Sequence, residues 1–292
     1  MRPRRLLTPW VLLAPALAVA LIFHIVPFFR TVQLSFTDFR LASGGEYIGL
    51  ENFGALASSD VFWLSAGNTL LYVIVVVPLL VMLPLFLAML VQPKIPGIAF
   101  FRASFYTPVI ASMVVVGLIW VFLLREQGPV NWLLQTLKVV QGPLPFLTDA
   151  TLLLLSCMLV TVWKGLGFYM VIYLTALANV PGELHEAAQV DGAGGVRRFW
   201  SVTLPSVRPT MLLVGVLSAI AAMKVYAEIF VIAGETAGPG GQVRSLVFTI
   251  REVGSGFDGQ VGYAAAMSLV LFVFTIGLTV ALQKLSRENE EA

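Results

Sequence analysis

The sequence predicts an all-α integral membrane protein with six transmembrane helices. Three observations lead there. Of the 292 residues, 58% are hydrophobic and only 12% charged, where soluble domains carry about 25% charge. The apolar residues gather in runs of the length a bilayer requires, about 20 residues each. The polar residues gather between those runs, most densely from Pro181 to Pro209. A net charge of +2 without a basic block beyond the helix flanks argues against a nucleic-acid partner. The one cysteine, Cys157, lies inside an apolar run and reads as core filling.

Taken in order, the first run covers 10–34. It follows a basic start, MRPRR, as a signal peptide would, but its apolar character continues through Phe29, longer than a signal core, so it reads as an uncleaved first span. Further runs cover 66–91, 98–124, 150–178, 208–233 and 261–284. An even number of spans places both termini on one side. With that side cytoplasmic, Arg2, Arg4, Arg5, Lys94, Arg102, Arg197, Arg198, Arg208, Lys284 and Arg287 fall inside, against Arg30, Arg40, Arg125, Lys138, Arg244 and Arg251 outside, the bias expected of cytoplasmic loops. Breaks are expected at Pro78 and Pro84 in the second span, Pro108 in the third, and Gly165 with Gly167 in the fourth. The chain divides into a tail, first span and loop (1–65), a core of five spans (66–284) and a short tail (285–292).

The stretch PGELHEAAQVDGAGGVRRFWSVTLPSVRP, residues 181–209, is where such a protein meets a soluble partner. Pro181 suits a helix's first turn, and Glu183 and Glu186 suit the positive end of its dipole. Asp191-Gly192 supplies a stop, because glycine accepts the left-handed backbone that helix ends use. Leu184, Ala187, Ala188 and Asp191 share one face, and the alanines allow close approach of another surface. Val196, Phe199 and Trp200 form a second apolar group. Pro205 and Pro209 are expected to prevent an early return to uninterrupted helix.

Glu186-Ala187-Ala188, Asp191-Gly192-Ala193, Phe199 and Thr203-Leu204-Pro205 resemble the EAA loop of permease subunits of ATP-binding-cassette (ABC) importers. Tyr47-Ile48-Gly49-Leu50-Glu51-Asn52-Phe53 and Asn68-Thr69 resemble landmarks of the carbohydrate-type permeases, in particular the first of their two permease subunits. Phe23-His24 with Pro27, Ser35-Phe36-Thr37-Asp38, Arg102 with Thr107-Pro108, Trp163-Lys164-Gly165 with Gly167-Phe168, and Gly262-Tyr263-Ala264 with Ala266 extend the likeness nearly end to end. Gly234 to Gly240 follows the family's glycine-rich loop only in part. The resemblance implies a type I importer (MetI-like) permease fold in a bacterial or archaeal cytoplasmic membrane, with a cytoplasmic coupling helix that seats in an ATPase subunit. Glu186, Ala187, Ala188, Asp191, Gly192, Ala193, Phe199, Leu204 and Pro205 are then the coupling residues. The implied partners are a second permease, two ATPase subunits that bind ATP and Mg, and an extracytoplasmic solute-binding protein.

Lys164, Lys224 and Glu228 fall inside spans, where an isolated ion costs roughly 2.5–3.5 kcal/mol on insertion scales, so each requires a partner or water. Lys224 and Glu228, four apart, either pair along one helix face or, with Tyr226, line a solute path. Tyr169 and Tyr173 form a second aromatic stripe that serves packing or the same path. Lys164 is expected to reach a helix end or a neighbouring carbonyl. No phosphate loop of the G-x-x-x-x-G-K-[ST] type, no metal-ligand cluster and no nucleophile with a histidine partner occurs, so neither catalysis nor a resident cofactor is expected. Two readings follow: a sugar-conducting permease driven by separate ATPases, with glycerol phosphate or another polar solute as alternative cargo, or an ion-gradient transporter using the intramembrane charges.

Overall fold

The computed structural model describes residues 4–92 and 96–288. Arg2, Lys94 and residues 289–292 of the sequence-based topology lie outside them. Among the described residues no strand forms, only isolated bridges such as Thr37 to Tyr47. Among the same described residues, six helical segments are long and apolar enough to cross a membrane.

The helices in chain order are α1 (Arg4–Ala20), α2 (Val26–Leu34), α3 (Glu51–Ala57), α4 (Asp60–Val91), α5 (Ile98–Ile110), α6 (Met113–Leu124) and α7 (Pro129–Thr136). The second half holds α8 (Ala150–Ala178), α9 (Gly182–Val190), α10 (Gly195–Arg198), α11 (Leu204–Met223), α12 (Ala227–Ala233), α13 (Leu246–Gly254) and α14 (Val261–Glu288). Two single π turns, Leu21–Ile25 and Phe199–Thr203, join α1 to α2 and α10 to α11 without interruption.

Those π turns correct one expectation. Pro205 and Pro209 do not delay the fifth span, because one helix runs from Gly195 to Met223 through both. A proline ring within a helix collides with the carbonyl four residues back. In the wide turn just before, the Leu204 N–H bonds to the Phe199 carbonyl instead, five residues back, which opens room for the Pro205 ring. The same device precedes Pro27, where the Val26 N–H bonds to the Leu21 carbonyl.

Other expected breaks are displaced. Helix α4 is continuous through Pro78 and Pro84, and α8 through Gly165 and Gly167. The third span, expected as one run over 98–124, is two helices parted at Ala111 and Ser112, both extended, with the Ser112 hydroxyl accepting from the Val115 N–H that opens α6. The fifth span ends at Met223 rather than 233, and α12 follows after Lys224, Val225 and Tyr226.

Glycine 167 is a site of approach rather than a break. A Cβ there would stand 2.1 Å from the Phe105 carbonyl oxygen of α5, so only glycine lets α5 lie against α8. Gly117 of α6 makes room for a side chain instead, the Val231 Cγ1 of α12 standing 2.2 Å from where its Cβ would be.

The chain forms two compact units. The first comprises the described residues of 1–63 with 249–273, and the second 64–248 with the described residues of 274–292. The division expected from sequence placed 249–273 in the core of five spans. Its place in the first unit comes from contacts that join its two chain segments. Arg40 pairs with Asp258 at 2.8 Å. The Gly262 N–H donates to the Phe39 carbonyl at 3.0 Å, and a Cβ at Gly262 would lie 2.0 Å from the Thr37 carbonyl oxygen. Buried Asn52 donates to the carbonyls of Ser35 and Thr37 at 2.9 and 2.8 Å, satisfying backbone groups that the loop turns inward.

The core of the second unit centres on α8. Cys157, Val160, Met170 and Tyr173 are fully buried there. Tyr72 of α4 donates to the Cys157 carbonyl at 2.9 Å and shares a hydrogen bond with the Thr161 hydroxyl. Cys157 is thus core, as its setting in the sequence suggested.

Candidate coupling loop and solute face

Helix α9 begins one residue later than the first-turn placement of Pro181 implies. Pro181 is extended (φ −59°, ψ 129°) and precedes the helix, whose first turn carries Glu183. At the other end Gly192 adopts φ +73°. Its N–H donates to the Gln189 carbonyl at 3.0 Å, and the Ala193 N–H donates to the Ala188 carbonyl at 2.8 Å. This paired closure satisfies two carbonyls that a helix end otherwise leaves open. Each residue of Asp191-Gly192-Ala193 therefore has a backbone duty: last cap, left-handed turn, closing donor.

The loop is widely exposed. Leu184, Val190, Val196 and Trp200 are 47%, 88%, 76% and 61% exposed, and Glu186 and Ala187 are exposed beside them, while Ala188 and Ala193 are half-buried. Phe199 turns the other way, its ring stacked on Phe86 of α4 at 5.8 Å. It ties the loop to the second span. Leu204 is half-buried and Pro205 exposed on the continuous helix.

The three-residue gap between α11 and α12 creates a second polar locus. Lys224 caps α11 with non-helical backbone (φ −104°, ψ 15°), and Tyr226 opens α12 at φ −146°. The freed Val225 carbonyl accepts from the Ser245 hydroxyl at 2.6 Å, and that hydroxyl in turn accepts from the Phe248 N–H. Tyr226 stacks on Phe230 at 5.4 Å and tilts against Phe248 at 5.7 Å.

Helical spacing between Lys224 and Glu228 is lost with the gap, and no ion pair joins them. Lys224 is exposed; Tyr226 and Glu228 are half-buried. The tyrosine stripe of α8 is placed differently. Tyr169 is 6% exposed and Tyr173 0%, and the Tyr173 hydroxyl donates to the Val81 carbonyl at 2.9 Å, so in this conformation both serve packing within the chain.

The chain matches, over residues 53–287, the family described as binding-protein-dependent transport system inner membrane component. It belongs to that family. It is 30% identical to the probable ABC transporter permease protein YurN of Bacillus subtilis, over 97% of each chain. It is 28% identical to the lactose transport system permease protein LacF of Rhizobium radiobacter, over 96% of this chain and 94% of that one. Its fold is shared with a chain in the crystal structure of a bacterial ABC transporter that imports the acidic polysaccharide alginate, at a TM-score of 0.84 and 22% identity, covering 98% and 96% of the two chains.

In this permease the landmark residues have structural work that their spacing alone did not reveal. Arg102 closes the end of α4, as its Nε and Nη2 donate to the Val91 carbonyl at 2.9 and 2.7 Å and Nη2 also to Gln92 at 3.1 Å. Asn68 donates to the carbonyls of Gln242 and Arg244 at 2.7 and 3.0 Å. Next to it, the buried Thr69 hydroxyl accepts from the Leu246 N–H at 2.9 Å. The Asn68-Thr69 pair thus fastens the segment after α12 to α4. Lys164 meets both of its expectations, since Nζ donates to the Val109 carbonyl at 3.3 Å in the last turn of α5, where carbonyls lack helical partners and the dipole favours a cation.

Asn131 escaped sequence reading. It is 0% exposed, donates to the carbonyls of Arg125 and Leu144, and accepts from the Leu144 N–H at 2.8 Å. Its only signal was an asparagine between apolar neighbours after Gly128-Pro129.

Proposed function

We propose that this permease forms, with a second permease, the membrane path of an ATP-driven sugar importer. Two ATPase subunits would hold ATP and Mg and receive the 181–209 loop in the cytoplasm, where both termini also lie. An extracytoplasmic solute-binding protein would deliver the cargo. The observation that carries this reading is mechanical: the exposed loop around Gly192 and the polar gap at Lys224 to Tyr226 lie at the two ends of one helix, Gly195–Met223. Its 29 residues span about 43 Å at 1.5 Å per residue. Movement imposed on the loop is transmitted along this rod to the gap, where a two-state exchange opens one side and then the other.

Within the loop, Glu186 supplies charge and Ala187 close approach, while Gly192 holds the turn and Phe199 the anchor on Phe86. At the far end Tyr226 offers an aromatic surface and Lys224 and Glu228 offer polar contacts to a hydroxyl-rich solute. The likeness to a lactose permease supports sugar as the cargo.

The test is reconstitution in vesicles with the ATPase, second permease and binding protein purified alongside. ATP-dependent uptake of labelled sugar, abolished by Glu186→Lys with the complex still inserted, is the expected result. Uptake by this chain alone under an imposed proton or sodium gradient would replace the reading with a secondary transporter. ATP-driven uptake of glycerol phosphate in place of sugar would change the cargo only.

A further inference from the structure

A cleft of about 230 Å³ lies where α4, α8 and the start of the 195–223 helix meet α9, lined by Met89, Gln92, Leu177, His185, Arg198 and Thr203 among others. It holds more than one water, whose share of liquid volume is about 30 Å³. None of its lining residues is acidic. Arg198 Nε is buried there without a hydrogen-bond partner among the described residues. A buried N–H left unpaired is destabilising, and more so on a charged group. Arginine presents its N–H groups as a planar fork suited to oxyanions.

The position of the cleft narrows the ligand. Met89 and Gln92 stand at the end of the second span, Leu177 at the end of the fourth, and Arg198 near the start of the fifth. The fourth span has 29 residues, about 43 Å, which matches a bilayer measured across its headgroups, about 40–45 Å. Its end therefore lies at the depth of lipid phosphates. We infer that this cleft binds a phosphate group through Arg198, supplied by a phospholipid headgroup or by free phosphate. This site is separate from the solute path and the cargo, but His185, Gly195, Arg198, Phe199 and Thr203 of its lining belong to the 181–209 loop, so it borders the surface proposed to meet the ATPase.

Two measurements on the full transporter purified from its membrane test the inference. Native mass spectrometry counts phospholipids retained per complex, and thermal melting of delipidated complex compares inorganic phosphate with chloride at equal ionic strength. Arg198→Gln removes the fork, and Arg197→Gln, an exposed neighbour, removes the same charge outside the cleft. Wild type and Arg197→Gln should retain a phospholipid that Arg198→Gln loses by about tenfold, or should be stabilised by phosphate where Arg198→Gln is not. The first result assigns a lipid, the second a free ion. If Arg198→Gln does not assemble, Arg198→Lys keeps the charge without the fork and should show the same loss in part. Equal retention and equal melting in wild type and the Arg198 variants would overturn the site, as would a partner protein's carboxylate found in the cleft.

Discussion

Arg102, near the start of α5, donates to the carbonyl of Val91, the last residue of α4, through two nitrogens at 2.9 and 2.7 Å. The final carbonyls of a helix have no donor within it. A single side chain closes the helix and sets how the next one departs. Hydrogen bonds from charged groups contribute about 1.5–3 kcal/mol, and the lower part of that range suits a half-exposed arginine. Arg102→Gln should lower the melting temperature of the purified protein, and Arg102→Lys should lower it less. An unchanged melting curve for Arg102→Gln would show that the contact is not stabilising.

Gly192 at φ +73° has nothing within 4 Å of where a Cβ would stand, so strain and not collision opposes substitution. An L-residue in this conformation costs about 1–2 kcal/mol. Gly192→Asn, which tolerates it best, should retain most ATP-driven uptake, and Gly192→Ala less. Gly192→Pro should retain none, because proline cannot reach that φ and lacks the N–H given to Gln189. All three should still insert in the membrane. Full uptake by the proline variant would remove the turn from the coupling mechanism.

Gly167 is the opposite case, helical in backbone but with the Phe105 carbonyl oxygen 2.1 Å from an added Cβ. Backbone on a packed helix cannot give way as a side-chain tip can. Gly167→Ala should force α5 off α8 and abolish monodisperse behaviour on size-exclusion chromatography. Gly215→Ala, with only Val81 at 3.7 Å, should elute as wild type. Similar elution of both variants would contradict the close approach.

Asn68→Ala leaves the Gln242 and Arg244 carbonyls without its donors, and Thr69→Val leaves the buried Leu246 N–H without its acceptor. An unsatisfied buried group costs about 1–3 kcal/mol. Amide exchange of residues 242–248 should accelerate in both variants, while exchange in α8 stays as in wild type. Acceleration spread evenly over the chain would mean that the pair supports the whole fold rather than this segment.

Lys224 and Glu228 give a negative prediction. With helical spacing broken between them and no ion pair formed, a double-mutant cycle of Lys224→Gln and Glu228→Gln on melting should return coupling near zero, below about 0.5 kcal/mol. A larger coupling would restore the helical pair that spacing suggested.

Read along the chain alone, the residues already fix the membrane class, the number of spans and the place of the polar 181–209 loop. Each rests on short-range physics: the length of an apolar run against bilayer thickness, and a glycine at the close of a helix. The Asp191-Gly192-Ala193 turn was legible because all of its hydrogen bonds are local. Tertiary structure alone decided where helices break and which motif residues face inward. Pro205 lies in a continuous helix with a π turn just before it, which takes up the missing N–H and the bulk of the ring. Gly167 serves an approach by α5, some sixty residues away in the chain. Lys224 and Glu228, adjacent on any ideal helix, are parted by a gap whose backbone is satisfied by Ser245. Spacing along a chain assumes regular geometry, and the donor or carbonyl that makes irregular geometry tolerable comes from residues distant in sequence.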